Sequence, residues 1–346
     1  MNLSQIASPL LAWYKAHARA LPFRDDPTPY HVWLSEIMLQ QTRVEAVLPY
    51  YRRFLAELPD VEALAGVSEE RLLKLWEGLG YYNRARNLKR AAQMITEELG
   101  GVFPGDYQAL RALPGIGDYT AGAIASIAFG APVPAVDGNV LRVVSRLTAC
   151  RENIDLPPVK KHIREQVAAA IPSERPGDFN QALMELGAVV CLPNGTPKCG
   201  ECPLAALCRA RKQGIAEELP LRSEKKGRRK EEHTVFLLFS GGRLALCRRP
   251  KSGLLSGMWG LPGVPGALDL AQAAALLGEW GLSPLEILPL SPAKHVFTHV
   301  EWLLTAYRAA LPEEASSPEG WAWADEEELQ RVYSLPAAFR QWEPLK

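Results

Sequence analysis

The apolar pattern of this chain changes period once, and that change constrains its architecture more than any single residue. Up to residue 211 apolar residues recur at helical spacing: Ile6, Leu10, Leu11 and Tyr14, then Trp33, Leu34, Ile37, Met38, Val44, Val47 and Leu48. No stretch there alternates with the two-residue period of a half-buried strand. A polar, mostly basic run follows at residues 222–230. Beyond it the grammar is different. Residues 234–239 and 244–248 are short β-like runs around Ser240-Gly241-Gly242, a hairpin signal. Residues 268–280 read as a helix, 298–310 as a strand and 337–342 as a last short helix. A length of 346 residues also exceeds one ordinary core. The expectation is a multidomain chain: an all-α domain over residues 1–215, a basic linker over 216–231 and an α+β domain over 232–346.

Composition narrows the function classes. With 39 basic and 39 acidic residues, any nucleic-acid contact must rest on local patches, not on bulk charge. Hydrophobic residues at 47% and charged residues at 23% exclude a disordered or fibrous chain. The first twenty residues lack the pattern of a secretory signal, so a cytoplasmic location is expected. Residues 119–136 carry no charge and are long enough for a membrane helix. Gly, Ser, Pro132 and Pro134 interrupt them, which predicts a tightly packed helix and a turn.

The six cysteines are too few for a disulfide scaffold, but four are clustered. Cys191, Cys199, Cys202 and Cys208 form C-x7-C-x2-C-x5-C, which points to a metal site. Zinc ribbons usually offer two C-x2-C knuckles and only one is present, so unequal spacing with all-thiolate ligation suits a four-iron cluster better than zinc. Such a group can pin a loop and turn Lys198, Arg209, Arg211 and Lys212 towards phosphates.

Three further segments carry chemistry. Leu113-Pro114-Gly115-Ile116-Gly117 sits between two helical segments, and its glycines allow a tight turn whose N–H groups can approach an anion. The same pattern also joins purely structural helix pairs. Asp137 opens the helix over 140–147, where on its own it reads as an N-cap kept ionised by the orphan N–H groups and the dipole. Glu36, Gln40 and Arg43 fall at i, i+4 and i+7 and are expected on one face of an otherwise apolar helix. A carboxyl in such surroundings has reason to keep its proton near neutral pH, which makes Glu36 a candidate general acid.

Together these segments resemble the helix-hairpin-helix superfamily of DNA base-excision glycosylases. The runs Leu21-Pro-Phe-Arg24 and Pro29-Tyr-His-Val-Trp-Leu-Ser-Glu-Ile-Met-Leu-Gln-Gln-Thr-Arg-Val44 closely resemble the adenine DNA glycosylase (MutY) family. That family removes adenine mispaired with 8-oxoguanine or guanine in double-stranded DNA, and the resemblance covers essentially the whole chain. It implies that Glu36 protonates N7 of a flipped-out adenine and that Asp137 stabilises the oxocarbenium ion. Tyr119 and Asn139 would orient these carboxylates. Gln41 and Tyr81 would wedge into the base stack. Leu113, Gly115 and Gly117 would grip the DNA backbone, and Arg24 would stand among the DNA-contacting residues. Cys191, Cys199, Cys202 and Cys208 would hold a [4Fe-4S] cluster. The chain would act as a monomer at the nucleoid. The related endonuclease III carries a lysine where Tyr119 stands and uses it as a Schiff-base nucleophile. A phenol cannot form an imine, so a monofunctional glycosylase is expected.

The carboxy-terminal part resembles a Nudix fold through Gly257-Met-Trp-Gly-Leu-Pro-Gly263 and the helix ending near Gly281-Leu282. Working members carry glutamates on that helix for magnesium. The matching positions here are Ala275, Gly278 and Glu279, too few acids for a metal. This domain is therefore expected to bind and not to hydrolyse. Phe297-Thr298-His299 resembles the family's lesion-sensing loop, with Thr298 and His299 reading 8-oxoguanine. Three positions depart from the family: seven residues instead of six between the first two cysteines, Phe23 for Trp, and Thr298 for Ser. Rival readings are a bifunctional pyrimidine glycosylase/lyase of the endonuclease III type, a non-catalytic damage-binding protein, and a nucleotide pyrophosphatase. Tyr119 with Glu36, the presence of both carboxylates, and the missing glutamates disfavour them in turn.

Overall fold

A computed structural model describes residues 3–224, 227–313, 315 and 318–342. The chain divides into two compact units, one of residues 1–67 and 86–224, the other of residues 68–85 and 225–346. Among the described residues no helix is long and apolar enough to cross a membrane.

The first unit is helical. Its uncharged segment forms the helix Asp118–Phe129, almost entirely buried from Thr120 to Ser126. Small side chains there let backbones meet. A Cβ on Gly122 would lie 2.3 Å from the Pro134 carbonyl oxygen, so only glycine fits. The loop after this helix is stapled by the buried Asn180 of the helix Pro176–Val189. Its amide donates to Ser126 Oγ at 2.8 Å and to the Val133 carbonyl at 2.9 Å, and its oxygen accepts from Ala135 N at 3.0 Å. A fully satisfied amide of this kind fixes where the next helix, Gly138–Thr148, must start.

The second unit holds a mixed sheet. Its strands are β1 Arg229–Ser240, β2 Arg243–Arg248, β3 Trp259–Gly260, β4 Gly263–Pro265, β5 Glu286–Val296, β6 Val300–Ala310 and β7 Trp321–Ala324. The order is β3-β2-β1-β6-β5, with β4 on β1 and β7 on β2. β1 and β6 run parallel over their full length, from Arg229↔Val300 to Phe239↔Ala310. Both faces are covered. Val235, Leu237, Leu244, Leu246, Trp302 and Leu304 pack with Phe339 on one side. Phe236, Leu238, Ala245, Tyr307 and Ala309 meet Ala273 and Leu277 of the helix Leu270–Glu279 on the other. Two buried faces explain why residues 235–238 read as a continuous apolar run.

Two details differ from the sequence expectation. β5 is not foreseen, because Pro289 and Pro292 and a mostly exposed pattern argue against a strand. It lies at the sheet edge and bulges between Leu290 and Ala293, which is where proline is tolerated. The last helix shrinks to a 3-10 turn, Ala337–Phe339. The unit also contains the helix Glu69–Leu75, capped by Ser68 Oγ accepting from Arg71 N at 3.2 Å.

Candidate active site

Glu36 lies on the helix Pro29–Leu39, which starts with a proline behind the capping Thr28 and buries every residue from Val32 to Met38. Glu36 is 8% exposed. Burial drives its carboxyl up to about 7, and the Asp137 charge adds to this, while the Tyr119 hydrogen bond and Arg24 pull down. Tyr119 of the helix Asp118–Phe129 donates its hydroxyl to Glu36 Oε2 and lies 3.2 Å from Met184 Sδ. Burial holds this phenol far above its usual range, so it remains a donor.

The helix stops sooner than the expected i, i+4, i+7 face requires. Gln40 is its C-cap, Gln41 has φ +60°, and Arg43 is the N-cap of the next helix, Val44–Glu57. Arg43 therefore does not share a helical face with Glu36. The turn still brings Gln40, Gln41 and Arg43 to the same cavity.

Asp137 caps the helix Gly138–Thr148. Its Oδ1 accepts from Val140 N at 2.7 Å and its Oδ2 from Asn139 Nδ2 at 2.7 Å. The orphan N–H groups and dipole of a helix start predict an ionised Asp137. Burial outweighs them, so the Asp137 carboxyl is raised from its ordinary value, with the hydrogen bonds and Arg142 offsetting part of the shift. Asn139 is itself held. Its Oδ1 accepts from Arg142 Nη2 at 2.8 Å, and Arg142 also donates to the Gly187 and Cys191 carbonyls at 2.9 and 2.8 Å. A Cβ on Gly187 would stand 2.6 Å from Asn139 Cβ, so glycine is needed for that approach.

Glu36 and Asp137 open on one cavity of about 760 Å³, lined also by Tyr119, Asn139, Gln41 and Arg24. Arg24 is committed within the unit. It donates to Glu185 Oε2 at 2.8 Å, and Arg19 Nε donates to Glu185 Oε1 at 2.7 Å. Burial pushes the Glu185 carboxyl up, but hydrogen bonds and charge from the two arginines outweigh it and hold it at about 2. Sequence reasoning misses Glu185 and Arg19. The only hint is an acid inside the apolar run Leu183-Met184-Glu185-Leu186.

The glycine-rich turn lies between the helices Tyr107–Ala112 and Asp118–Phe129. Leu113 is buried, Gly115 has φ +78°, and Gly117 caps the second helix. Tyr81, Thr298 and His299 belong to the second unit. Tyr81 is 47% exposed with φ +47°, and its hydroxyl shares a hydrogen bond with Thr298 Oγ1 at 2.5 Å. Thr298 and His299 are exposed in the turn joining β5 to β6, closed by Phe297 N donating to the Val300 carbonyl at 2.8 Å.

The four clustered cysteines line one small cavity of about 30 Å³ in the first unit. Arg146 Nη1 reaches Cys191 Sγ at 3.2 Å, a cation placed where a thiolate would form. Among the described residues no group of His, Cys, Asp or Glu is gathered closely enough for a single metal ion. Four thiols around one cavity make an all-thiolate donor set, the kind that holds iron–sulfur clusters or structural zinc.

Residues 34–170 match the HhH-GPD superfamily of base excision DNA repair proteins, and residues 234–342 match the NUDIX domain. The chain is 37% identical to the adenine DNA glycosylase of Mus musculus over 99% of its own length and 78% of that protein. To that of Homo sapiens it is 35% identical over 92% and 70%. The chain belongs to the adenine DNA glycosylase family. The match to the Mus musculus protein runs through both the helical and the NUDIX regions. The helical fold of this family member is shared with a thermostable thymine-DNA glycosylase at TM-score 0.56 and 28% identity, covering 61% of this chain and 97% of that one. Endonuclease III in a non-covalent DNA complex follows at TM-score 0.52 and 27% identity, covering 62% and 99%.

Proposed function

We propose that this base-excision glycosylase removes adenine lying opposite 8-oxoguanine or guanine in duplex DNA, by hydrolysis and without cutting the strand. The observation that carries the reading is the pairing of Glu36 and Asp137 across one cavity, with the Glu36 carboxyl held at about 7. Two carboxyls in different surroundings can divide the acid and the electrostatic work.

The adenine nucleotide leaves the duplex and enters the cavity. Glu36 gives its proton to adenine N7. The bond between C1′ and N9 breaks, and its electron pair leaves with the base. Asp137 as carboxylate faces the positive charge that develops on the sugar. Water then adds its oxygen to C1′ and returns a proton to Glu36, which restores the acid. Tyr119 occupies Glu36 Oε2 and leaves Oε1 for the travelling proton. Asn139 keeps Asp137 aimed. Tyr119 cannot form the imine a lyase needs, so borohydride should trap no protein–DNA adduct. A trapped adduct would favour the lyase reading.

Gln41 and Tyr81, both with left-handed backbone, are assigned as wedges beside the lesion, and Thr298 and His299 as readers of 8-oxoguanine. Gly115 and Gly117 are assigned to present backbone N–H groups to phosphate, Leu113 to support their turn with its own N–H spent on the Leu110 carbonyl at 3.2 Å, and Arg24 to wall the adenine pocket from its pairing with Glu185. Cys191, Cys199, Cys202 and Cys208 would hold a [4Fe-4S] cluster, which when bound pins the loop carrying Lys198 and the residues of the short helix Arg209–Lys212 against DNA. Purified protein should contain about four irons per chain and absorb visible light; a colourless, iron-free active protein would refute the cluster. The enzyme works as a monomer on chromosomal DNA.

The deciding experiment incubates the protein with a duplex holding adenine opposite 8-oxoguanine, followed by alkali. Wild type should give strand breaks at the adenine. Glu36→Gln and Asp137→Asn should give almost none while still binding. An active Glu36→Gln variant would remove the general-acid role.

A further inference from the structure

In the second unit a largely shielded ion pair holds the turn that carries Tyr81. Lys74 and Glu77 are 10% and 11% exposed and pair at 2.7 Å. Lys74 Nζ also donates to the Leu329 carbonyl at 2.7 Å and the Tyr333 carbonyl at 3.1 Å. Its three donors are thus all used, two on carbonyls at the end of the helix Glu326–Arg331, where a cation is favoured. Glu77 Oε1 accepts from Leu335 N at 2.6 Å and from the Arg340 guanidinium. Residues 74–77 are thereby fastened to residues 329–340 of the same unit.

The turn begins at the next residue. Gly78, Gly80 and Tyr81 have φ of +105°, +67° and +47°. Trp76 Nε1 donates to the Gly80 carbonyl at 3.0 Å, and Arg84 Nη2 donates to the Leu79 carbonyl at 2.9 Å. The Arg84 guanidinium also lies 5.2 Å from the Trp76 ring centre and 5.6 Å from that of Tyr81. This rigid turn delivers the Tyr81 hydroxyl to Thr298. Its anchor is the charge network at its base.

We propose that Glu77, together with Lys74, is a positioning residue for lesion discrimination, fixing the wedge Tyr81 relative to the sensor Thr298 so that the two read one base pair as a unit. This rests on the assignment of Tyr81 and Thr298 to the lesion. Neither Lys74 nor Glu77 touches DNA in this scheme; both act through the turn.

The test measures single-turnover excision by the full chain with adenine opposite 8-oxoguanine and opposite guanine. Glu77→Ala should lower the ratio of the two rates by about tenfold or more, since small displacements of a reading group are costly, with the guanine rate little changed. The double variant Lys74→Met with Glu77→Leu leaves no unpaired buried charge and should lower the ratio alike. A merely structural role would lower the melting temperature or both rates together, with the ratio intact, and that result overturns the proposal. Thr298→Ala is the reference. If it lowers the ratio and the Glu77 variants do not, only the positioning role falls. If it leaves the ratio unchanged, the underlying lesion assignment falls and this inference with it.

Discussion

Glu36 and Glu185 line the same cavity, both are nearly inaccessible, and their carboxyls move in opposite directions. Glu36 is driven to about 7 and Glu185 is held at about 2. Burial pushes both upward. The difference lies in the partners. Glu185 receives two guanidinium groups, whereas Glu36 receives one neutral phenol. The cavity thus has one wall that keeps a charge and another that keeps a proton, and the proposed reaction draws on the second. The largest expected effect breaks this contrast at Glu36. Glu36→Gln keeps the shape but has no proton to give, so excision should fall by about a thousandfold, within the range for loss of a general acid. Its melting temperature should not fall. A variant that loses activity by unfolding would make Glu36 structural.

Glu185 should behave the other way. Arg24→Ala leaves a buried carboxylate with only Arg19, and loss of one partner of a buried pair costs about 3 kcal/mol. Chemical denaturation of Arg24→Ala against wild type measures it. A loss under about 0.5 kcal/mol, the size seen for surface pairs, would show that Glu185 reaches water.

The pH dependence separates the two carboxyls by sign. Glu185 is depressed, so its contribution is present above pH 4.5 and is lost as pH falls towards about 2. Glu36 is raised. Between pH 4.5 and about 7 the unfolded chain is ionised while the folded one keeps its proton, so its contribution to stability declines as pH rises. At about 1.4 kcal/mol per pH unit this amounts to about 3 kcal/mol. Glu36→Gln should therefore gain stability over wild type as pH is raised through this window, and a difference that stays constant with pH would contradict a neutral Glu36. Activity follows the same group: the single-turnover rate should drop about tenfold per pH unit once the acid is ionised, above about pH 7.

Much of this contrast is hidden in the sequence, for physical reasons. The change from helical to strand grammar is local and therefore readable, as is the Asp137 cap, which needs only its own helix start. Glu36 is legible because its apolar neighbours lie on its own helix. Glu185 is not, because its partners are 161 and 166 residues away. The early stop of the Glu36 helix is equally silent. It depends on Gln41 adopting φ +60°, and no glycine marks the place. β5 hides behind two prolines that only an edge position excuses. The raised Asp137 carboxyl depends on burial by distant segments, which no capping rule contains.

The smallest expected effect sharpens the comparison at its finest point. Tyr119 donates a hydrogen bond that pulls the Glu36 carboxyl down against burial. Tyr119→Phe removes that bond and keeps the ring, so the carboxyl should rise further. The alkaline fall in rate should then move to higher pH. The neutral-pH rate should change only a few-fold, because the acid is still protonated and only its aim is loosened. A fall shifted to lower pH would mean that Tyr119 stabilises the neutral form of Glu36 and not its charge. Loss of activity as deep as that of Glu36→Gln would make the phenol itself a proton carrier, and the division of labour between a charge-keeping wall and a proton-keeping wall would have to include a third group.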